Sequence, residues 1–157
     1  MDAVVANETY RVLGQRPGFL VRRLHQIHLA LFAEECKVFG VTPVQYSILT
    51  VAAAQPGLDQ AALANQVGVD RTTMADVLAR LERRGLVRRT RVERDARRKL
   101  VHATVAGQQM LARMDGPAQQ AHERTVAALP PKQRAAFIEL LHRLVEASGD
   151  LGRAQRV

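Results

Sequence analysis

The chain has 157 residues, 47% of them hydrophobic, enough to bury a core without a disulfide or a metal as a staple. It has no run of about 18 apolar residues to span a bilayer, and Met1-Asp2-Ala3-Val4-Val5-Ala6 lacks the basic and apolar regions of a secretion signal. The single cysteine, Cys36, has no intrachain partner, so a reducing cytoplasm is the expected compartment.

Residues 1–16 read as a loose arm or a short first helix. Pro17-Gly18 then opens a helix expected over Phe19 to Phe39. Leu20, Leu24, Ile27 and Leu31 form one stripe at helical spacing, and Val21, His25, His28, Phe32 and Cys36 form a second. A helix apolar on two sides is wedged between two bodies, here its own domain and a second subunit. Gly40 stops it.

Thr42 caps the next helix and Pro43 takes its first position. The apolar run Val44, Ile48, Leu49, Val51 and Ala52 ends at the turn Gln55-Pro56-Gly57. Leu58-Asp59 caps a short helix, Gln60 to Gln66. Gly68-Val69-Asp70 supplies a tight turn and a new cap, and a helix from Arg71 to Arg84 closes at Gly85. Residues 86–94 alternate loosely, Lys99 to Ala103 reads as a return strand, and Asp95-Ala96-Arg97 is the expected hairpin tip. Thr104 caps a helix running to about Leu129. A kink or break is expected at Gly116-Pro117, because proline removes a backbone donor and clashes with the preceding turn. Pro130-Pro131 precedes a last helix, Lys132 to Ala147, with Phe137, Ile138, Leu141, Leu144 and Val145 on one face.

The expected fold is mainly α with a small β-hairpin wing. A winged helix-turn-helix lobe over residues 43–103 is joined to a helical dimerisation lobe from residues 17–40 and 104–157.

Net charge is +8, and between Asp70 and Lys99 eleven basic residues face five acidic ones, a local net of +6. Charge by itself fits a solvated basic surface as well as a polyanionic partner. Its placement decides between them. Two helices joined by a glycine turn are helix-turn-helix architecture. Leu63, Ala64, Val67, Val69, Val77, Leu78 and Leu81 seat the pair on one core. That leaves Arg71, Thr72, Thr73, Asp76 and Arg80 facing outward, where short hydroxyl side chains and a helix N-terminus suit a major groove. In the wing, Arg97 suits the minor groove, Arg98 and Lys99 suit the flanking phosphates, and Asp95 can aim the Arg97 guanidinium. Arg88, Arg89, Arg91 and Arg94 read one by one as ordinary strand-edge charges.

From about Phe19 to Ala147 the chain resembles the multiple antibiotic resistance regulator (MarR) family of bacterial winged-helix repressors. The resemblance is carried by Leu58 to Ala64, Asp70 to Thr73, Leu81 to Val87, the wing motif Asp95-Ala96-Arg97, and Ala103-Thr104-Val105-Ala106-Gly107. The chain lacks the common proline after the motif aspartate, and Pro117 falls in a helix that the family usually keeps continuous. The resemblance implies a homodimer on double-stranded DNA carrying an inverted repeat, with half-sites about 10 bp apart. It also implies release by a small effector, commonly an aromatic carboxylate, a phenolic or a related thioester, bound between the two lobes. An effector must differ in affinity for two spacings of the recognition helices to act at all.

Candidate effector ligands in this chain are Arg22, His25, His28, Tyr46 and Ser47. The two histidines lie one turn apart, and Arg22 or Arg23 is near enough to neutralise a carboxylate. They read equally well as core or interface residues bonded to backbone, and a zinc site has too few ligands in view, so no metal or cofactor is expected. Cys36 reads as a small core residue, with a redox switch as the alternative. No phosphate loop, nucleophile elbow or ligand-spaced cluster suggests an enzyme, so no catalytic residue is expected. A winged module binding protein or RNA is the remaining alternative. Single-stranded RNA readers usually stack bases on aromatics, and none lies between Tyr46 and Phe137.

Overall fold

The computed structural model describes residues 12–93 and 95–149, without the side chains of Ala96 and Arg97. Most of the expected arm, and Arg94, lie outside the described residues. Six helices and a small antiparallel sheet follow in order: α1 (Pro17–Glu35), a 3-10 turn (Lys37–Phe39), α2 (Pro43–Ala54), β1 (Leu58–Asp59), α3 (Gln60–Val67), α4 (Arg71–Arg83), β2 (Val87–Val92), β3 (Asp95–Ala103), α5 (Val105–Thr125) and α6 (Pro131–Ala147).

The helix boundaries have local causes. Thr42 caps α2 in a reciprocal box with Gln45, whose side chain returns to the Thr42 amide at 3.0 Å. Asp59, Asp70 and Thr104 cap α3, α4 and α5 with their side-chain oxygens. Gly68 at φ 79° makes the turn between α3 and α4, a left-handed conformation that a side chain disfavours. The first long helix ends sooner than expected, at Glu35. A 3-10 turn carries the chain on to Gly40, also left-handed at φ 58°.

Two apolar clusters organise these elements. One gathers Ile48, Leu49, Ala52, Leu63, Ala64, Met74, Leu78, Leu81, Leu86, Val87 and Val101, so α2, α3, α4 and the sheet share a core. Met74, fully buried, belongs to it although the periodicity argument above omitted it. The second joins Phe32, Cys36, Phe39 and Val41 to Met114, Ala118 and Ala121, seating α1 on α5, and Met110 packs against both clusters.

Two sequence expectations are corrected here. Of the kink or break expected at Gly116-Pro117, the break is absent: helix α5 runs on through Pro117. Proline deletes one helical hydrogen bond, but the buried Met114 and Ala118 on either side hold the helix against α1. The wing motif is not a hairpin tip: Asp95 already opens β3 and pairs with Val92. The next pair is Arg91 with Lys99, so residues 96–98 bulge out of the ladder. The sheet also has a third member. Leu58 and Asp59, read above only as a cap, pair with Val101 and Leu100 and place β3 in the middle.

Candidate functional site

The charged face is built where α3, α4 and the wing meet. Met74, Leu78 and Leu81 turn inward, which leaves Arg71, Thr72, Asp76 and Arg80 exposed along α4. Thr73 is different. Its hydroxyl donates to Asp70 Oδ2 at 2.6 Å while its amide donates to Oδ1 at 2.8 Å. It completes the cap, which commits its hydroxyl proton and leaves the oxygen as an acceptor. These bonds hold the Asp70 carboxyl below its usual range.

The wing is tied to this face by two ion pairs. Glu82 on α4 receives Arg89 through Nε at 3.0 Å and Nη2 at 2.5 Å, and accepts the Arg89 amide as well. Arg89 therefore anchors β2 to α4, and its hydrogen bonds keep the Glu82 carboxyl low. Arg98 donates to Asp59 Oδ2 at 2.9 Å, tying the bulge to the start of α3. Arg71, Arg98 and Lys99 then line one concavity of about 490 Å³ with Asp59, Gln60 and Ala61. Three cations predicted separately are thus brought together at the mouth between α4 and the wing, a shape and charge suited to a phosphate backbone. Asp95 is exposed at the start of β3, and the Arg97 side chain lies outside the described residues.

A second concavity, of about 440 Å³, opens between α1, α5 and α6. Its walls are Leu20, Val21 and Leu24 of α1, Val126 after α5, and Phe137, Ile138 and Leu141 of α6. Its polar groups are His25, His28, His122 and Thr125. The imidazoles of His28 and His122 stack with centroids 4.9 Å apart. Thr125 donates its single hydroxyl proton to the Ala121 carbonyl at 2.8 Å, so it accepts from His28 Nδ1 at 2.9 Å. That assigns the proton to Nδ1 and leaves Nε2 as an acceptor. Burial, then the neighbouring His122 and His25, lower the His28 pKa from its ordinary 6.5.

Of the five candidate effector ligands, the structure brings together His25 and His28. Arg22 is exposed and is not among the lining residues. Tyr46 packs its ring 5.6 Å from Phe32 in the second core, where burial raises its phenol pKa. Ser47 donates to the Pro43 carbonyl at 3.0 Å. Neither Tyr46 nor Ser47 is among the residues lining the cavity that holds His25 and His28. His122 and Thr125 escaped the sequence reading. Helical spacing from the buried Ala118 and Ala121 would have pointed to both, because 118, 122 and 125 share a face.

Cys36 is buried, and burial followed by the Glu35 charge pushes its thiol pKa up. The thiolate is the reactive form, so this environment opposes redox sensing. Among the described residues no cluster of three or more metal-ligating side chains is present, and no helix is long and apolar enough to cross a membrane.

Comparison with known proteins places this geometry. Residues 41–99 match the model of the MarR family. The chain is 36% identical over 137 residues to a putative transcriptional regulatory protein for the hcr operon of Thauera aromatica, covering 85% of this chain and 82% of that one. Among solved structures, the Bordetella bronchiseptica regulator BpsR, described with regulation of its DNA binding by 6-hydroxynicotinic acid, is 27% identical. It superposes with a TM-score of 0.77 over 83% of this chain and 93% of that one. The repressor CouR, bound to a 23-mer DNA duplex, is 28% identical with a TM-score of 0.78 over 85% of this chain and 94% of that one. The chain belongs to the MarR family of transcriptional regulators.

Proposed function

We propose that this regulator is a homodimeric repressor that occupies an inverted-repeat operator in the cytoplasm and leaves it when a small aromatic or phenolic acid binds. The convergence of Arg71, Arg98 and Lys99 on one concavity beside the exposed N-terminal half of α4 carries the DNA half of this reading. Residues 43–103 form the lobe that reads DNA, with Arg71, Thr72, Asp76 and Arg80 toward the major groove and Asp95, Arg97, Arg98 and Lys99 in the wing. Residues 17–40 and 104–149 form the dimerisation lobe, and residues 150–157, expected to join it, lie outside the described residues. Ile27 on α1 and Leu140, Leu144 and Val145 on α6 are exposed large hydrophobics outside the histidine-lined cavity, the kind of surface that a second copy covers. Neither helix gains from that exposure as a monomer.

The cavity between α1, α5 and α6, which is lined from the helical lobe alone and not from both lobes as the resemblance implied, is the effector site in this reading. Its walls take an aromatic ring. His28 Nε2 can accept from a phenolic hydroxyl, and a protonated imidazole can hold a carboxylate. BpsR's response to a hydroxylated aromatic acid, and CouR's complex with duplex DNA, support the same division of labour. The family's activity is regulation through DNA, with no chemical step assigned to any residue.

A gel-shift titration against selected duplex DNA, repeated at several salt concentrations, tests the core of this proposal. The expected result is a dimer whose affinity falls linearly on a log–log plot, with a slope of about −0.9 per phosphate contacted. Salt-independent binding, or a lone subunit at the concentrations that shift DNA, overturns it.

A further inference from the structure

The geometry points to Arg84 as the positioning residue that fixes the angle of the recognition helix against the dimerisation lobe, and so sets which half-site spacing the protein accepts. This inference rests on the dimeric DNA-binding reading above.

Arg84 is the C-cap of α4. Its guanidinium donates through Nη1 to the Gly40 carbonyl at 2.6 Å and through Nη2 to the Phe39 carbonyl at 2.8 Å. Those carbonyls close the 3-10 turn after α1, where backbone oxygens left over at a helical end carry partial negative charge. A planar fork on two successive carbonyls fixes direction as well as distance. The bonds therefore join the C-cap of the DNA-reading helix to the 3-10 turn that follows the helix the second subunit is proposed to cover.

The far side of that joint is itself held in place. Phe39 is buried in the second core, with the Arg113 guanidinium 5.6 Å from its ring. Just before it, Arg124 of α5 bonds Glu35 at 2.5 Å and Glu34 at 3.1 Å. Arg84 thus grips a segment that cannot yield independently of α1 and α5. In a symmetric dimer, a small change of tilt at α4 is repeated in both halves, so it appears directly as a changed distance between recognition helices.

The alternative role for an exposed arginine beside a DNA-reading helix is a phosphate contact. The two roles predict different data. Losing a phosphate contact weakens every duplex alike and lowers the salt slope by about one. Losing a positioning contact flattens the preference among spacings and leaves the slope unchanged.

The experiment begins by selecting tight sites from a random duplex pool with the full-length protein. Gel shifts then measure affinity for the selected site with its spacer lengthened and shortened in single base-pair steps. For the unaltered protein we expect one spacing to be favoured about tenfold over its neighbours. Arg84→Met keeps the aliphatic stem but removes the donors, and should narrow that preference to about twofold with the salt slope intact. Arg84→Lys, which can still donate to both carbonyls, should recover part of it. Thermal melting of each variant shows that the compared proteins are folded. If Arg84→Met keeps the full spacing profile, or loses affinity equally at all spacings, the positioning role is wrong. The same holds if the unaltered protein has no spacing preference. A protein that enriches no duplex at all instead overturns the DNA-binding reading itself.

Discussion

Asp59 and Arg98 meet at 2.9 Å, and the aspartate is committed twice: Oδ2 takes the guanidinium while Oδ1 accepts from the Ala62 amide at 2.8 Å. The helix-capping bond leads the lowering of the Asp59 pKa, ahead of Arg98. The two partners should therefore separate on mutation. Asp59→Ala loses a helix cap, a cost of about 1 kcal/mol. Asp59→Asn keeps the cap and should cost less. Arg98 is 57% exposed in this pair, so Arg98→Ala should cost less than about 0.5 kcal/mol of stability. It should instead lower the salt slope of DNA binding by about one. Urea denaturation and salt-stepped gel shifts measure the two effects. Equal destabilisation by both alanine variants with no change of slope would contradict this division.

Gly107 is set by proximity, since it lies within a helix. A methyl group there would stand 2.1 Å from the Leu86 carbonyl oxygen and 3.1 Å from Leu49 Cδ1. The first obstacle is backbone and cannot rotate away. Thr104 fixes the approach by donating to the Gly85 carbonyl at 2.6 Å while accepting from the Gly107 amide at 3.0 Å. Gly107→Ala should destabilise the protein by about 2 kcal/mol despite alanine's better helix propensity. A urea midpoint equal to or above that of the unaltered protein would show that α5 can retreat without penalty.

Arg97→Ala should weaken operator binding while leaving the dimer intact, because a wing arginine reaching a narrow minor groove contributes to DNA affinity and nothing else. Residues 96–98 bulge from the ladder between the Val92–Asp95 and Arg91–Lys99 pairs. Sizing chromatography and a gel-shift titration check the two halves. Unchanged affinity would remove the wing assignment.

Helix order, caps and the glycine turn were legible because each is written locally: Asp59, Asp70 and Thr104 stand directly before apolar-periodic runs. The basic face was legible for the same reason, since one contiguous stretch holds α4 and the wing. What sequence could not supply was pairing across distance. Leu58 and Asp59 are too short to read as a strand until Val101 and Leu100 lie beside them. Arg89 read as a strand-edge charge until Glu82 came within reach, and Arg84 lies 44 residues from its acceptor Gly40. The cavity proposed for the effector was half legible. His25 and His28 share a helix, whereas His122 and Thr125 join them only when α5 folds back on α1. Tyr46 packs on Phe32 and Ser47 bonds the Pro43 carbonyl, and neither lines that cavity.

The histidines make stability depend on pH in a definite direction. Burial, then His122 and His25, hold the His28 pKa below 6.5, so the folded state binds fewer protons than the unfolded one as the pH falls through that value. Stability should be level above 6.5 and decline from there down to the folded pKa of His28. The lowered carboxyls of Asp59, Asp70 and Glu82 start from ordinary values of 3.8, 3.8 and 4.5, so their contribution is lost only at lower pH. Melting temperatures between about pH 8 and pH 5 should fall less for His28→Gln than for the unaltered protein. Parallel curves would mean that His28 is not held neutral.

The same imidazole should report on the effector. A carboxylate entering the cavity finds apolar walls and three histidines, with no arginine or lysine among the described lining residues. An anion in such surroundings is stabilised when an imidazole takes up a proton, so aromatic carboxylates should bind more tightly at pH 6 than at pH 8. Isothermal titration in two buffers of different ionisation enthalpy should show net proton uptake on binding. A neutral phenol offers its hydroxyl to His28 Nε2 instead and should bind with little proton exchange. The double variant His25→Ala, His28→Ala should lose binding of the carboxylates and with it their effect on DNA affinity. Carboxylate binding that survives the double substitution unchanged would move the effector site away from this cavity.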